Sequence, residues 1–323
     1  MTAALQVQLD PGATGPTQRR RGRHRARRVW VDRLIPVLLM LIGAVVLAYP
    51  VVATFYNNYK QSEFAREYAA KVATADPAAL NAEFAAATRY NTALNPKLLK
   101  DPWDEASSAL NADYHRDYLS QLDLLEAMGR IRIPALDVDL PVLHGTSDDT
   151  LAKGVGHLFG SSLPVGGPST HAVLTGHSSL ANATLFDHLP DLSVGDQFYL
   201  EVLGRTLAYR VDKISVVLPN QLDDLAVTSG ADQVTLVTCT PYAINSHRLL
   251  VRGVRVPYTQ ADGSAPGQAT STMDWSIQSW MWPRLIGAGV AVFVLVAMIF
   301  GWIVSDRRRA ARRAAKKKER ERE

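Results

Sequence analysis

Cys239 is the only cysteine in 323 residues, so it has no partner for an internal disulfide. It ends the apolar, β-branched run Val234-Thr235-Leu236-Val237-Thr238-Cys239, the pattern of a buried strand opening into a loop. A cysteine so placed is either a small buried hydrophobe or a nucleophile. A nucleophile needs a base or cation that favours thiolate, and a donor for the charge that grows on the attacked carbonyl oxygen. Two residues have the right chemistry. His177 follows the strand-like run His171-Ala172-Val173-Leu174-Thr175-Gly176 and so also sits at a strand end. Arg248 opens Arg248-Leu249-Leu250-Val251-Arg252, nine residues after the cysteine, and its guanidinium is charged at any working pH with donors in a fixed fork. Three strand ends meeting at one rim would make a centre for cysteine acyl transfer. Thr238, next to the cysteine, is expected to line the substrate site.

Other chemistries find no footing. The chain has no Cys/His cluster and no EF-hand-like acidic loop, so neither a metal nor a cofactor is expected. It has no Gly-rich phosphate loop and no complete Ser-His-Asp set. His144 and His157 read as structural. His171 would share a face with His177 but lie about 20 Å away along an extended strand, and His247 would face away from Arg248. His115 and His188 fall in expected helices without ligand-like neighbours.

The elements that must position the three residues follow from periodicity. Strands are expected at 130–134, 138–143, 170–176, 197–203, 206–218, 233–239 and 248–256, parted by turn residues such as Gly145, Gly166-Gly167 and Gly204. Seven short strands with few helices between them point to a closed β-barrel. Short helices are expected at 148–153 and 183–189. Ahead of the strands, Phe64, Tyr68 and Val72 mark an amphipathic helix over 57–75. Asp76-Pro77 starts a second helix, ended by Asn95-Pro96, and a third is expected over 113–128 with Leu119, Leu122 and Leu125 on one face.

At its chemical residues the chain resembles the sortases, cysteine transpeptidases of Gram-positive cell surfaces. Thr235-Leu236-Val237-Thr238-Cys239 matches the family's TLxTC signature, Thr175-Gly176-His177 its histidine motif and Arg248 its arginine, in the expected order. The likeness takes in Ile131-Arg132-Ile133-Pro134, Leu140-Pro141-Val142-Leu143-His144-Gly145 and Gly154-Val155-Gly156-His157-Leu158, so it runs from about residue 130 to 257. It implies a mainly β, closed sortase-type barrel of eight strands. It also implies catalysis by Cys239, His177 and Arg248 on LPxTG-like sorting signals.

Lys100-Asp101-Pro102-Trp103-Asp104 read alone is a turn. In content and position it resembles the Asp-Pro-aromatic lid of class C, pilin-polymerising sortases. The resemblance implies that Asp101 pairs with Arg248 while the Trp103 ring covers Cys239. As an exposed pair this would contribute about 0–1 kcal/mol, so the lid is expected to open readily.

Charge and hydropathy place the chain at a membrane. Residues 19–33 hold eight arginines and residues 305–323 ten Lys or Arg, whereas residues 56–283 carry 16 Lys or Arg against 25 Asp or Glu. Uncharged apolar runs at 34–55 and 285–304 are each long enough to cross a bilayer as a helix. Basic flanks outside both runs predict cytoplasmic ends and an extracellular middle, rather than nucleic-acid binding. The expected organisation is a disordered basic tail (1–33), a span (34–55), a helical extension with the lid (56–129), the barrel (130–258), a linker (259–284), a second span (285–304) and a basic tail (305–323). The expected partners are the lipid bilayer and pilins or surface proteins with LPxTG-like signals. Single-protein attachment to peptidoglycan is the alternative enzyme, and a membrane-tethered scaffold with a merely buried Cys239 the alternative without chemistry.

Overall fold

The computed structural model describes residues 18–94, 100–103, 112–258 and 280–322. The expected disordered start at 1–17 and most of the expected linker, 259–279, lie outside these residues, as do Asn95, Pro96 and Asp104. The chain forms two compact units, residues 50–276 and the pair of segments 1–49 and 277–323.

In the larger unit eight strands close into a barrel. They are β1 (Gly129–Ile133), β2 (Val138–His144), β3 (Val155–His157), β4 (Thr170–Thr175), β5 (Gln197–Val202), β6 (Arg205–Val217), β7 (Asp232–Thr240) and β8 (His247–Val256), in the order β1-β2-β3-β4-β7-β8-β6-β5. Ile131, Ile133, Leu174, Phe198, Leu200, Leu236 and Val251 are fully buried in its core. Strand β3 is the one that periodicity misses, because Val-Gly-His is too short to show alternation. Gly156 is required there, since a Cβ would run into the backbone of Gly145.

Among the described residues three helices precede the strands: α1 (Gln18–Thr74), α2 (Pro77–Ala93) and α3 (Ala112–Leu119). Within the larger unit α1 buries Ala65, Tyr68 and Val72, a stripe at helical spacing. The Tyr68 hydroxyl donates to the Met128 carbonyl (3.3 Å) and accepts from Leu203 N–H (2.8 Å), tying helix to barrel. The Asp76 carboxylate caps α2 by accepting from Ala78 N–H at 3.0 Å.

Two expected helices differ. The one over 113–128 stops at Leu119, because Leu122 takes a left-handed backbone (φ 54°) while its side chain is buried. Residues 183–189 form turns rather than a helix, with Leu185 at φ 41°. Ala183, Leu185, Phe186 and Leu189 are all buried there at helical spacing, but the left-handed backbone at Leu185 breaks the helix which that spacing suggests. The expected helix at 148–153 is α4 (Asp148–Lys153), capped by Ser147, whose hydroxyl accepts from Thr150 N–H.

In the smaller unit, α1 and α5 (Met281–Arg320) each contain a stretch long and apolar enough to cross a membrane, so both are candidate spans. Residues 18–33 belong to α1 instead of a disordered tail. Arginine and alanine are good helix formers, and no proline interrupts them. Arg33 and Asp306 make a bidentate ion pair at 2.6 and 2.9 Å.

His157, reached by α3 through Tyr118, is fully buried. The Tyr118 hydroxyl donates to the His157 carbonyl (3.0 Å) and accepts from Gly145 N–H (2.9 Å), while His157 Nε2 lies 2.8 Å from the Ser162 carbonyl. Burial pushes the His157 imidazole down to about 4. Between that value and about 6.5 the unfolded chain binds a proton that the folded chain refuses, so stability is complete above this window and falls as pH drops through it. The contribution reaches about 3 kcal/mol, and His144 and His171, shifted down by burial as well, act in the same direction. The urea midpoint of the full chain in micelles is expected to fall from pH 7.5 to pH 5, with a shallower fall in His157→Gln. An equal fall in both would remove His157 from the account.

Candidate active site

Strand β7 has β4 on one side and β8 on the other. The parallel ladder with β4 pairs Thr175 with Val237, and Gly176 N–H continues it by donating to the Val237 carbonyl at 3.0 Å. His177 stands two residues beyond Thr175 and Cys239 two beyond Val237, so the register sets them side by side on neighbouring strand ends. The antiparallel ladder with β8 pairs Cys239 directly with Arg248. Arg248 Nη1 lies 3.6 Å from the Cys239 sulfur. The structure thus brings the sulfur, the guanidinium and the histidine's strand end to one rim.

The loop that carries His177 is braced where it leaves the sheet. Thr238 donates its hydroxyl to the Gly176 carbonyl (2.7 Å), and Ser178 donates to the Cys239 carbonyl (2.7 Å). Phe186 N–H returns to the His177 carbonyl at 3.0 Å, and the Phe186 ring lies flush on Gly176. Thr238 is fully buried and its hydroxyl is used inside the protein, so it holds the histidine loop rather than lining a substrate surface. Alternation along β7 accounts for this, since it turns the residue beside Cys239 to the other face. Ser178 and Gly176 were not singled out from sequence for these roles. A Gly-His-Ser step after an apolar strand is their only local signal.

Asp101 and Trp103 fill the space in front of Arg248. The Asp101 carboxylate accepts from Arg248 Nε (2.9 Å) and Nη2 (3.0 Å), a bidentate pair. The Trp103 ring stacks on the guanidinium with 4.4 Å from its carbon to the ring centroid, and the ring centre lies 6.3 Å from that of His177. Trp103 also packs against an apolar patch of Leu158, Val173, Leu225, Val237 and Leu250, with Val217 and Leu222 at its margin. Its contacts therefore run to the guanidinium, the imidazole and this patch. Pro102 is buried and its carbonyl accepts from the Thr146 hydroxyl. The ion pair is not the exposed one expected, because its side chains are only 11% and 17% accessible. Trp103 shields one face of it.

These neighbours set the protonation of the site. Burial pushes the Cys239 thiol up, Arg248 pulls it down, and Asp101 pushes it up again. Burial pushes His177 down, against a smaller opposing pull from Asp148. With Asp101 in place, thiol and imidazole both favour their neutral forms. The other histidines have separate tasks: His171 is buried, with Nδ1 2.9 Å from the Ala226 carbonyl and Nε2 2.7 Å from the Thr235 hydroxyl. His188 lies in the turns after His177, 3.0 Å from Asp191.

Comparison with known proteins shows the following likenesses. A family model described as Sortase domain matches residues 131–256. Sortase C-1 of Actinomyces oris is 52% identical, with a TM-score of 0.54 over 56% of this chain and 99% of that one. A sortase C of Streptococcus pneumoniae, whose structure is described as giving insight into catalysis and pilin substrate specificity, is 43% identical, with a TM-score of 0.55 over 61% of this chain and 97% of that one. Sortase A of Bacillus anthracis is 27% identical over 220 residues, which are 68% of this chain and 92% of that protein.

Gly176 offers a direct test of how tightly the rim is built. A Cβ there would lie 2.6–2.7 Å from ring carbons of Phe186, which is itself fully buried. Gly176→Ala is expected to cost about 1–3 kcal/mol by overpacking, read as a lower melting temperature, and to displace His177. An unchanged melt would mean that the ring yields and the rim is looser than described.

Proposed function

The chain belongs to the sortase family, and from that premise we propose that it is a membrane-held cysteine transpeptidase that polymerises pilins. His177 takes the proton of the Cys239 thiol, and the resulting thiolate attacks the carbonyl between Thr and Gly of an LPxTG-like sorting signal. Arg248 donates N–H groups to the substrate carbonyls or to the oxyanion of the tetrahedral intermediate. As the C–N bond breaks, His177 gives its proton to the departing glycine amine and leaves a thioester on Cys239. A lysine amine of another pilin subunit then attacks the thioester, His177 accepts the amine proton, and the C–S bond breaks to give an isopeptide, with His177 passing that proton to the departing sulfur to restore the thiol.

The observation that carries this reading is the bidentate Asp101–Arg248 pair under the Trp103 ring. It sets a carboxylate where a substrate carbonyl would meet the guanidinium fork, and an aromatic ring on the apolar patch beside it. That is how an internal segment would occupy a peptide site at rest. Opening frees Arg248, lessens the burial that mainly raises the thiol and removes the smaller upward push of the Asp101 charge, so access and reactivity rise together. The likeness to sortase C proteins, one of them described with pilin substrates, favours pilin subunits over single anchored proteins. Basic residues outside both apolar stretches favour cytoplasmic chain ends and a catalytic unit on the outer surface.

Cys239→Ala is expected to abolish the acyl-enzyme formed on an LPxTG-type peptide, seen by intact mass. Wild type with purified pilin should give ladders on denaturing gels, and attachment of monomers alone would mean single-protein anchoring. Trp103→Ala should speed alkylation of Cys239 by iodoacetamide. Asp101→Asn should move the pH midpoint of that alkylation downward, because it removes the charge that raises the thiol. Rates and midpoints equal to wild type would refute the lid, and a thiol inert in every variant would favour the non-catalytic scaffold.

A further inference from the structure

We infer that Asn58, on α1, is a positioning residue for His177, acting through the loop that begins at the imidazole; this rests on the role of His177 proposed above. The loop from His177 to Asp187 contains only turns, with Ser179 (φ 68°) and Leu185 (φ 41°) in the left-handed region. It has no helix or strand of its own to hold it, so its shape is set by what grips it.

Its two ends are pinned together and to the rim. Phe186 N–H donates to the His177 carbonyl (3.0 Å) and Ser179 N–H to the Asp187 carboxylate (2.6 Å). On the cysteine side, Ser178 donates to the Cys239 carbonyl (2.7 Å), and Ala243 N–H donates to the Ser179 hydroxyl (2.8 Å). The crown is held by α1. The Asn58 side-chain amide donates to the Thr184 hydroxyl (2.7 Å) and accepts from Thr184 N–H (3.0 Å), while Asn57 donates to the Asn182 carbonyl (2.9 Å). A side chain that both donates to and accepts from one residue fixes orientation as well as distance.

The same helix holds a second element near His177. Gln61, close to Asn57 and Asn58 on one helical face, donates to the Ala152 carbonyl of α4 (3.1 Å), and α4 begins with Asp148, whose charge is felt at the imidazole. Asn58 and Thr184 are 126 residues apart in sequence, and the helix bearing Asn58 runs without a break from the apolar stretch that is a candidate span. The anchor helix therefore does more than tether the enzyme. It sets the crown of the loop whose first residue is the proton carrier.

The test uses the full chain in detergent micelles, an LPxTG-type peptide and an amine acceptor. In Asn58→Ala, kcat is expected to fall about tenfold while KM and the alkylation rate of Cys239 stay within about twofold, since proton transfer depends steeply on placement and the thiol is untouched. Asn58→Asp, which keeps the acceptor for Thr184 N–H, should recover part of the rate. Asn58→Ala with Thr184→Ala should lose less than the product of the two single losses, because the variants share the amide–hydroxyl bond. A wild-type kcat in Asn58→Ala would overturn the inference, as would kcat, KM and alkylation all changing together, which marks general loosening. Turnover retained in His177→Ala would bring down the proposed mechanism itself. An inactive His177→Ala beside a wild-type Asn58→Ala would sink only the role of Asn58.

Discussion

The two ladders of β7 are the constraint on which the site depends. A residue at the end of a central strand has neighbours on both sides whose identity is fixed by register, and a slip of one residue would turn each side chain to the opposite face. Pairing with β8 places Arg248 across from Cys239, and pairing with β4 carries Gly176 and His177 up beside it. The barrel core makes slippage costly: Leu236 and Val251 pair with each other and are both fully buried, so the contacts that stabilise the fold also fix the chemistry. Residues 62 and 9 positions away from the cysteine in sequence become its neighbours without any loop needing to be long or ordered by ligand.

Against that frame of strands, the Asp101-Pro102-Trp103 segment is held by a handful of side-chain contacts. Bidentate geometry and stacking strengthen its ion pair, but taking a carboxylate and a guanidinium partly out of water costs much of what their attraction returns. The net hold is therefore far smaller than the contacts suggest when counted one by one. On the proposed function a competing peptide would meet the same five-donor fork and the same apolar patch. What it lacks is the carboxylate charge, and that difference falls directly on the neighbouring thiol.

How much of this was legible in the sequence depended on the range of the interaction. Cys239, His177 and Arg248 stand at the ends of apolar alternating runs, so their strand ends could be read locally, as could the Asp76 cap and α4. Strand β3 could not, because three residues carry no period and its pairing with β2 and β4 is decided elsewhere in the chain. The turns at 183–189 and the early end of α3 are cases where burial of individual side chains in left-handed backbone overrides helical propensity. Thr238 sits in a signature motif, and motif membership does not say which face a side chain takes. Asp101 was legible as a partner for Arg248 only through resemblance, and the burial of that pair depends on Trp103 closing over it in three dimensions. Asn58 had no local signal at all, since its partner is set by the packing of a helix on a loop far along the chain.

The site's resting state follows from these contacts taken together. Burial is the largest influence pushing the Cys239 thiol and the His177 imidazole toward their neutral forms, which leaves a poor nucleophile. Among the described residues Arg248 is the neighbour that draws the thiol toward thiolate, and it is the group that Asp101 pairs with. A lid that merely blocked entry could have been any bulky side chain. A carboxylate paired with that arginine also offsets the cation beside the sulfur, so in the function proposed above closure would lower reactivity toward small electrophiles as well as block entry. On the proposed reading Asp101 and Trp103 divide the work accordingly: the ring packs on the apolar patch beside the guanidinium, and the carboxylate adds to the burial that keeps the thiol neutral.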